Sequence, residues 1–154
     1  MISIKQIKNE DLLNMDKIIN NYDLDKDYLM DNFKTSLIMR ENNKIIGLSI
    51  YENIENKFGL ITFMGYDIPF LDINYIDGLY RSTLNHMLLN DIDFGTILVT
   101  NENYKFYKKL NIEELNKEEF VKLEMFNKNN QEAISAFKVE IDPFFNRPCS
   151  SSSK

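Results

Sequence analysis

The sequence predicts an α+β domain, a mixed α/β arrangement with a central, mostly antiparallel sheet and helices on both faces. Two observations carry this. Residues 36–64 hold three strand-length apolar runs separated by short polar turns, the pattern of an antiparallel meander. A long helix-periodic segment follows, then a buried-looking strand, a short helix and two more strand-like runs, so a crossover joins the meander to the last strands.

Met1 to Ile7 alternates, with Ile2, Ile4 and Ile7 as its apolar positions, and forms a first strand. Asn9 is placed to cap a helix in which Leu12, Leu13, Met15, Ile18, Ile19 and Tyr22 recur at helical spacing. Asp25 is placed to cap a second, shorter helix carrying Tyr28, Leu29 and Phe33. Ser36 to Arg40 is a strand, and Glu41-Asn42-Asn43-Lys44 is a turn, since Asn tolerates the left-handed conformation. Lys44 to Tyr51 is the next strand. A turn around Asn53 to Lys57 leads to another, Phe58 to Met64.

Gly65 to Asn74, with Pro69, is a loop. Tyr75 to Asn90 is the strongest helix, with Ile76, Leu79, Tyr80, Thr83, Leu84, Met87 and Leu88 as its apolar stripe. Asp91 to Phe94 connects it to the strand Gly95–Thr100, and Asn103 to Leu110 is a short helix. Val121 to Phe126 and Ala136 to Ile141 are expected as late strands, with Gln131 to Ser135 open between them. Asp142-Pro143-Phe144-Phe145 is expected as a final helical turn that packs two aromatics onto the body.

The 154 residues suit one domain, expected over 1–148, with a low-complexity tail at 149–154 expected to be disordered. Apolar residues at 44% and charged residues at 27% fit a globular protein. The net charge is −6, and Lys and Arg are interspersed with acids, so the basic patch that tracks phosphates is lacking and nucleic acid is not an expected partner. No run approaches the roughly 20 apolar residues that cross a bilayer, so no membrane partner is expected. Residues 1–10 lack the apolar core of a secretory signal, and the single Cys149 cannot close an internal disulfide; the expected location is a reducing cytoplasm. One Cys and one His, His86, are too few soft ligands for zinc, so no metal is expected.

Three stretches carry a resemblance: Lys44-Ile45-Ile46-Gly47-Leu48-Ser49; Asp77-Gly78-Leu79-Tyr80-Arg81-Ser82-Thr83-Leu84; and Gly95–Thr100 followed by Asn101 and Tyr104-Lys105-Phe106-Tyr107-Lys108-Lys109-Leu110-Asn111-Ile112. Together they resemble the third strand, the central helix and the fifth strand with its helix in the GNAT N-acetyltransferase superfamily, over about residues 1–126. Leu79–Asn85 and the ending Phe144–Cys149 further resemble a divergent, clostridial-type GNAT-like subgroup, which implies no known substrate. The acyl-CoA loop departs from the family pattern R/Q-x-x-G-x-G/A. Here Asp72–Gly78 has Gly78 as its one glycine and no preceding Arg or Gln, while Asp72 and Asp77 bring negative charge where phosphates would sit.

The resemblance implies a GNAT-like fold and an acyl-CoA-dependent N-acetyltransferase that passes an acetyl group to an unidentified amine by direct attack. Acetyl-CoA would be the cosubstrate. The alternative it leaves is a non-catalytic GNAT-fold module, for protein interaction or ligand binding, with a degenerate CoA site. Parted strands at Phe58–Met64 and Gly95–Thr100 would exclude a third reading, an unrelated α+β domain. Tyr107 matches the family's general acid toward the leaving thiolate, a role that suits a phenol. Asp67 and Glu52 are the candidate bases, acting through water, although each is more readily read as a solvated loop acid. Backbone amides of Phe63, Met64 and Gly65 match the contact to the thioester carbonyl. Asn74, Ile76, Asp77, Gly78, Arg81 and Asn101 complete the implied cofactor contacts, although Arg81, four residues after Asp77, also fits a surface ion pair. A monomer and a homodimer are both open.

Overall fold

The computed structural model describes residues 1–69, 72–129 and 131–146. The elements run β1 (Ile2–Gln6), α1 (Asp16–Asn21), α2 (Lys26–Asp31), β2 (Ser36–Glu41), β3 (Lys44–Glu55), β4 (Phe58–Tyr66), α3 (Ile73–Leu89), β5 (Phe94–Thr100), α4 (Tyr104–Lys109), β6 (Glu113–Glu114), α5 (Lys117–Glu124), β7 (Ala133–Glu140) and α6 (Ile141–Asn146). Seven strands form one sheet in the order β1-β2-β3-β4-β5-β7-β6. Every neighbouring pair is antiparallel except β4–β5, which is parallel and joined by the α3 crossover.

The hairpin between β2 and β3 turns on Asn42 (φ 53°) and Asn43 (φ 70°), with Glu41 opposite Lys44. Two consecutive left-handed residues match the right-handed twist of the flanking strands, and Asn adopts that conformation more readily than other side chains. Asn111 (φ 58°) ends α4 in the same way.

Side chains on the two sheet faces build two cores. One packs α3, α4 and α6 around Leu79, Tyr80, Leu84, Met87, Tyr107 and Phe144. The other packs α1 and α2 around Ile18, Leu29, Leu48, Ile50 and Phe63. The segment expected as one helix after Asn9 is instead a 3₁₀ turn, Asn9–Asn14, followed by α1. The buried Asp11 holds that turn, accepting the Lys8 N–H at 2.8 Å and the Arg40 guanidinium from β2. Asp25 caps α2 through the Asp27 N–H at 2.9 Å.

One expected strand is corrected. Residues 117–124, including Val121 to Glu124 of the expected strand, form the helix α5. The cause is a reciprocal cap: Asn116 Oδ1 accepts the Glu119 N–H at 2.8 Å, and Glu119 Oε1 accepts the Asn116 N–H at 3.3 Å. The sheet takes the two-residue β6 in its place, and β7 begins at Ala133 within the open segment. The expected tail, with Cys149, lies outside the described residues. No helix of the described residues is long and apolar enough to cross a membrane.

His86 on α3 is a structural residue with a testable consequence. Its Nδ1 lies 2.7 Å from the Tyr51 hydroxyl, and the Asn90 amide nitrogen faces the same atom at 3.4 Å. Burial pushes Tyr51 up to about 12, so the phenol stays protonated beside the ring. Burial also lowers the imidazole below its ordinary value. The folded state therefore binds the His86 proton less well than the unfolded chain. Stability from this group is full above pH about 6.5 and declines as the pH falls through that value. Melting curves from pH 7.5 to 5.5 should show this decline, and His86→Gln should remove that part of it.

Candidate functional site

The site begins with one extra residue. Across β3 and β4, Ile50 pairs with Phe63 but Tyr51 pairs with Ile61, which leaves Thr62 as a β-bulge. The bulge resets the alternation of side chains. Ile61 and Met64 enter the α3 core, Phe63 enters the α1–α2 core, and Thr62 reaches the Tyr28 hydroxyl of α2. On the other edge of β4, pairing with β5 runs from Phe58↔Phe94 to Ile61↔Ile97 and stops. Both strands continue, β4 to Tyr66 and β5 to Thr100, so they part directly after the bulge.

The exposed edge of β4 is met by side chains instead of a strand. The Asn129 amide donates to Thr62 C=O at 3.0 Å, and the Gln131 amide donates to Met64 C=O at 3.1 Å. Tyr22, at the end of α1, accepts the Tyr66 N–H at 2.9 Å and donates to Tyr66 C=O at 3.4 Å. The N–H and C=O of one strand residue share a side, so Met64 presents its N–H to the gap as well. Asp67 N–H bonds Ile46 C=O, and by the same alternation Gly65 and Phe63 turn their backbone groups toward β3.

Behind Gln131 the gap narrows to a void of about 10 Å³, bordered by Met64, Asn103 and Tyr107. Tyr107 is fully buried, edge-on to Tyr80 and Phe106, with its hydroxyl 3.4 Å from Met64 Sδ. Burial raises its phenol well above the ordinary value, with Tyr66 and Tyr80 adding to the shift. Gln131 also lines a second, larger cavity of about 860 Å³. The end of α1 (Asn21–Asp23), the β5–α4 turn (Thr100–Asn103) and the approach to β7 (Gln131, Glu132) form its walls, with Met64 and Tyr66 of β4.

No family model matches the chain, and no curated protein matches it in sequence. Solved structures do match. N-acetylglutamate synthase from Neisseria gonorrhoeae, complexed with coenzyme A and N-acetyl-glutamate, matches with a TM-score of 0.73 at 13% identity over 92% of this chain, which spans 35% of that protein. The ribosomal-protein-S18-alanine N-acetyltransferase of Escherichia coli matches at 0.67 and 11% identity, covering 92% of this chain and 94% of that one. A GNAT-family acetyltransferase of Staphylococcus aureus matches at 0.68 and 12%, covering 92% and 100%. The chain has the GNAT fold. A different α+β fold is thereby excluded.

Within the GNAT fold the residues named from sequence fall into separate places. Met64, Tyr107 and Asn101 meet at the gap or its cavity. At the start of α3, Asp72 accepts the Asn74 N–H at 2.8 Å on its carboxylate, and the Tyr75 and Ile76 N–H groups bond Asp72 C=O. The chain thus caps its own helix where the resemblance implied phosphates. Asp77 pairs with Arg81 at 2.8 Å, and the Arg81 guanidinium lies 4.7 Å over the Phe144 ring. Gly78 lies inside α3, where an added Cβ would make only an ordinary contact with Ile4 Cδ1 at 3.8 Å.

Asp67 and Glu52 lie apart from the cavity. Asp67 faces Lys44 at 3.9 Å beside a separate hollow, and Glu52 accepts the Tyr28 hydroxyl at 2.7 Å in another. Phe63 and Gly65 contribute to the floor under Tyr22: a Cβ at Gly65 would sit 2.7 Å from the Phe63 ring and 2.8 Å from the Tyr22 ring. Sequence reading missed Tyr22, Tyr66, Asn103, Asn129 and Gln131 as site residues. They carry no motif, and only the bulge at Thr62 brings them to one place.

Proposed function

We propose that the protein is an acyl-CoA-dependent N-acetyltransferase that passes the acetyl group directly to an amine. The observation that carries the reading is the gap at the Thr62 bulge, with Tyr107 at its narrow end and a cavity of about 860 Å³ that shares Met64, Thr100, Asn103 and Gln131 with it. Bound acetyl-CoA would supply a thioester whose C–S bond breaks, the electron pair leaving on sulfur, as an amine nitrogen closes the new C–N bond. Tyr107 holds a proton on Oη at the floor of the gap, and burial keeps it there until a thiolate appears to take it. The Met64 N–H, on the opened side of β4, is the donor for the carbonyl oxygen. Neither Asp67 nor Glu52 lines the cavity, so removal of the ammonium proton passes to a rim carboxylate or to water.

A second reading rests on a specific observation: the chain satisfies its own site. Asp72 occupies the Asn74 amide, and Asn129, Gln131 and Tyr22 occupy the edge of β4. A GNAT-fold module that has given up CoA would look this way.

Calorimetric titration with acetyl-CoA, with desulfo-CoA as control, separates the two. Under the transferase reading, micromolar binding is expected. Gln131→Ala should tighten it about fivefold, because a ligand no longer displaces a bond worth about 1 kcal/mol net. Absence of heat from folded wild type and from Gln131→Ala would leave the module reading.

A further inference from the structure

The main cavity carries charge of one sign. Asp23, Glu102 and Glu132 line it, and among the described residues no Lys, Arg or His does. Glu102 and Glu132 form no ion pair among the described residues. A second observation concerns the wall. Tyr66 is 8% exposed, its backbone is pinned by Tyr22, and its hydroxyl has no hydrogen-bond partner among the described residues. Asn103 Oδ1, on the facing turn, is also buried without a partner. Buried polar atoms of this kind ordinarily find a bond, so each is a place for a ligand atom. Carboxylates and an amide oxygen only accept, and a phenol can accept too, so the ligand that completes the cavity brings donors and positive charge.

A simple monoamine uses this field badly. The reacting nitrogen must lose its proton before attack, and neighbouring carboxylates hold that proton on. A molecule with a second, non-reacting ammonium resolves the conflict: one nitrogen deprotonates at the gap while the other stays charged at the rim. A zwitterionic amino acid would instead bring its carboxylate against Glu102 and Glu132. The cavity, at about 860 Å³, has room for an extended chain.

From this, and resting on the acyl-transfer reading above, we infer that the acceptor is an aliphatic diamine or longer polyamine. Its distal ammonium is held by Glu102 and Glu132, with Tyr66 and Asn103 lining the path to the gap. Transfer forms one C–N bond and breaks one C–S bond. The ammonium and the thioester become an amide and a thiol, and one proton is released to solvent.

The test uses three probes of similar length: 1,5-diaminopentane, pentylamine and 5-aminopentanoate. Each is titrated into the whole chain by calorimetry, with and without saturating desulfo-CoA. The expected order of affinity is dication, monocation, zwitterion, with at least about tenfold between the ends, since a held charge pair of this kind is worth a few-fold each. Glu102→Gln with Glu132→Gln, both at exposed positions, should weaken diamine binding about tenfold and leave pentylamine nearly unchanged. Asp31→Asn, in the separate acidic hollow between α2 and β3, should change neither. Equal affinities for the three probes, no diamine binding at millimolar concentration, or an equal loss in Asp31→Asn would overturn the inference. Failure of the transferase reading looks different: diamine binding that survives while no CoA compound binds.

Discussion

Gly65→Ala is expected to lower stability by about 2 kcal/mol, which for a chain of this length is a fall of about 4–8 °C in melting temperature. The added methyl would meet the rings of Phe63 and Tyr22 at 2.7 and 2.8 Å, and neither ring can bend away. Phe63 is 1% exposed and stands edge-on to Tyr22, so the pair must shift together. Tyr22 would then leave Tyr66, and β4 would lose a partner at the mouth of the gap. Gly78→Ala is the control. A Cβ there meets only Ile4 Cδ1, at 3.8 Å, and the residue sits inside α3. Removing a helical glycine should raise stability by about 0.5–1 kcal/mol. Circular dichroism melts of both variants decide the matter; a Gly65→Ala melt equal to wild type would contradict the packing described for Tyr22.

Tyr107→Phe carries the largest expected effect on activity. Loss of a positioned proton donor should cut the acetyl-transfer rate by about 10²–10⁴. Acetyl-CoA affinity should stay within about threefold, because the hydroxyl gives up only one net hydrogen bond, here a weak one to Met64 Sδ. The ring keeps its packing against Tyr80, Phe106 and Phe137, so the fold should survive. The pH profile adds a check. Burial raises this phenol, so wild-type activity should show no loss from its ionisation below pH about 10. An unchanged rate in Tyr107→Phe would remove it from the chemistry.

The fold was legible wherever a local rule acts alone. The stripe of Ile76, Leu79, Tyr80, Thr83, Leu84 and Met87 specified α3, and Asn42-Asn43 specified the hairpin turn. Two helix caps differ in how plainly the sequence shows them. Asp25 stands directly before the helix it caps, whereas the Asn116–Glu119 box competes with the strand-like apolar run that follows it. The site was less legible for a different reason. Thr62 looks like any strand threonine, and its extra count emerges only when β4 is laid against β3. Gln131 and Asn129 stand 67 residues from the carbonyls they hold. No periodicity or spacing rule acts over that separation, whereas Tyr107, which borders the narrow end of the gap, stands at a motif position.

The parting of β4 from β5 has a bearing on how molecules of this protein meet one another. A strand without a neighbour is a template on which a foreign segment can extend a ladder, the first step of intermolecular pairing and aggregation. Here that template opens in the middle of the sheet, where charged edge residues or a proline could not blunt it without destroying the wedge. Two primary amides and a phenol satisfy the carbonyls singly and present no backbone of their own for a further strand to join.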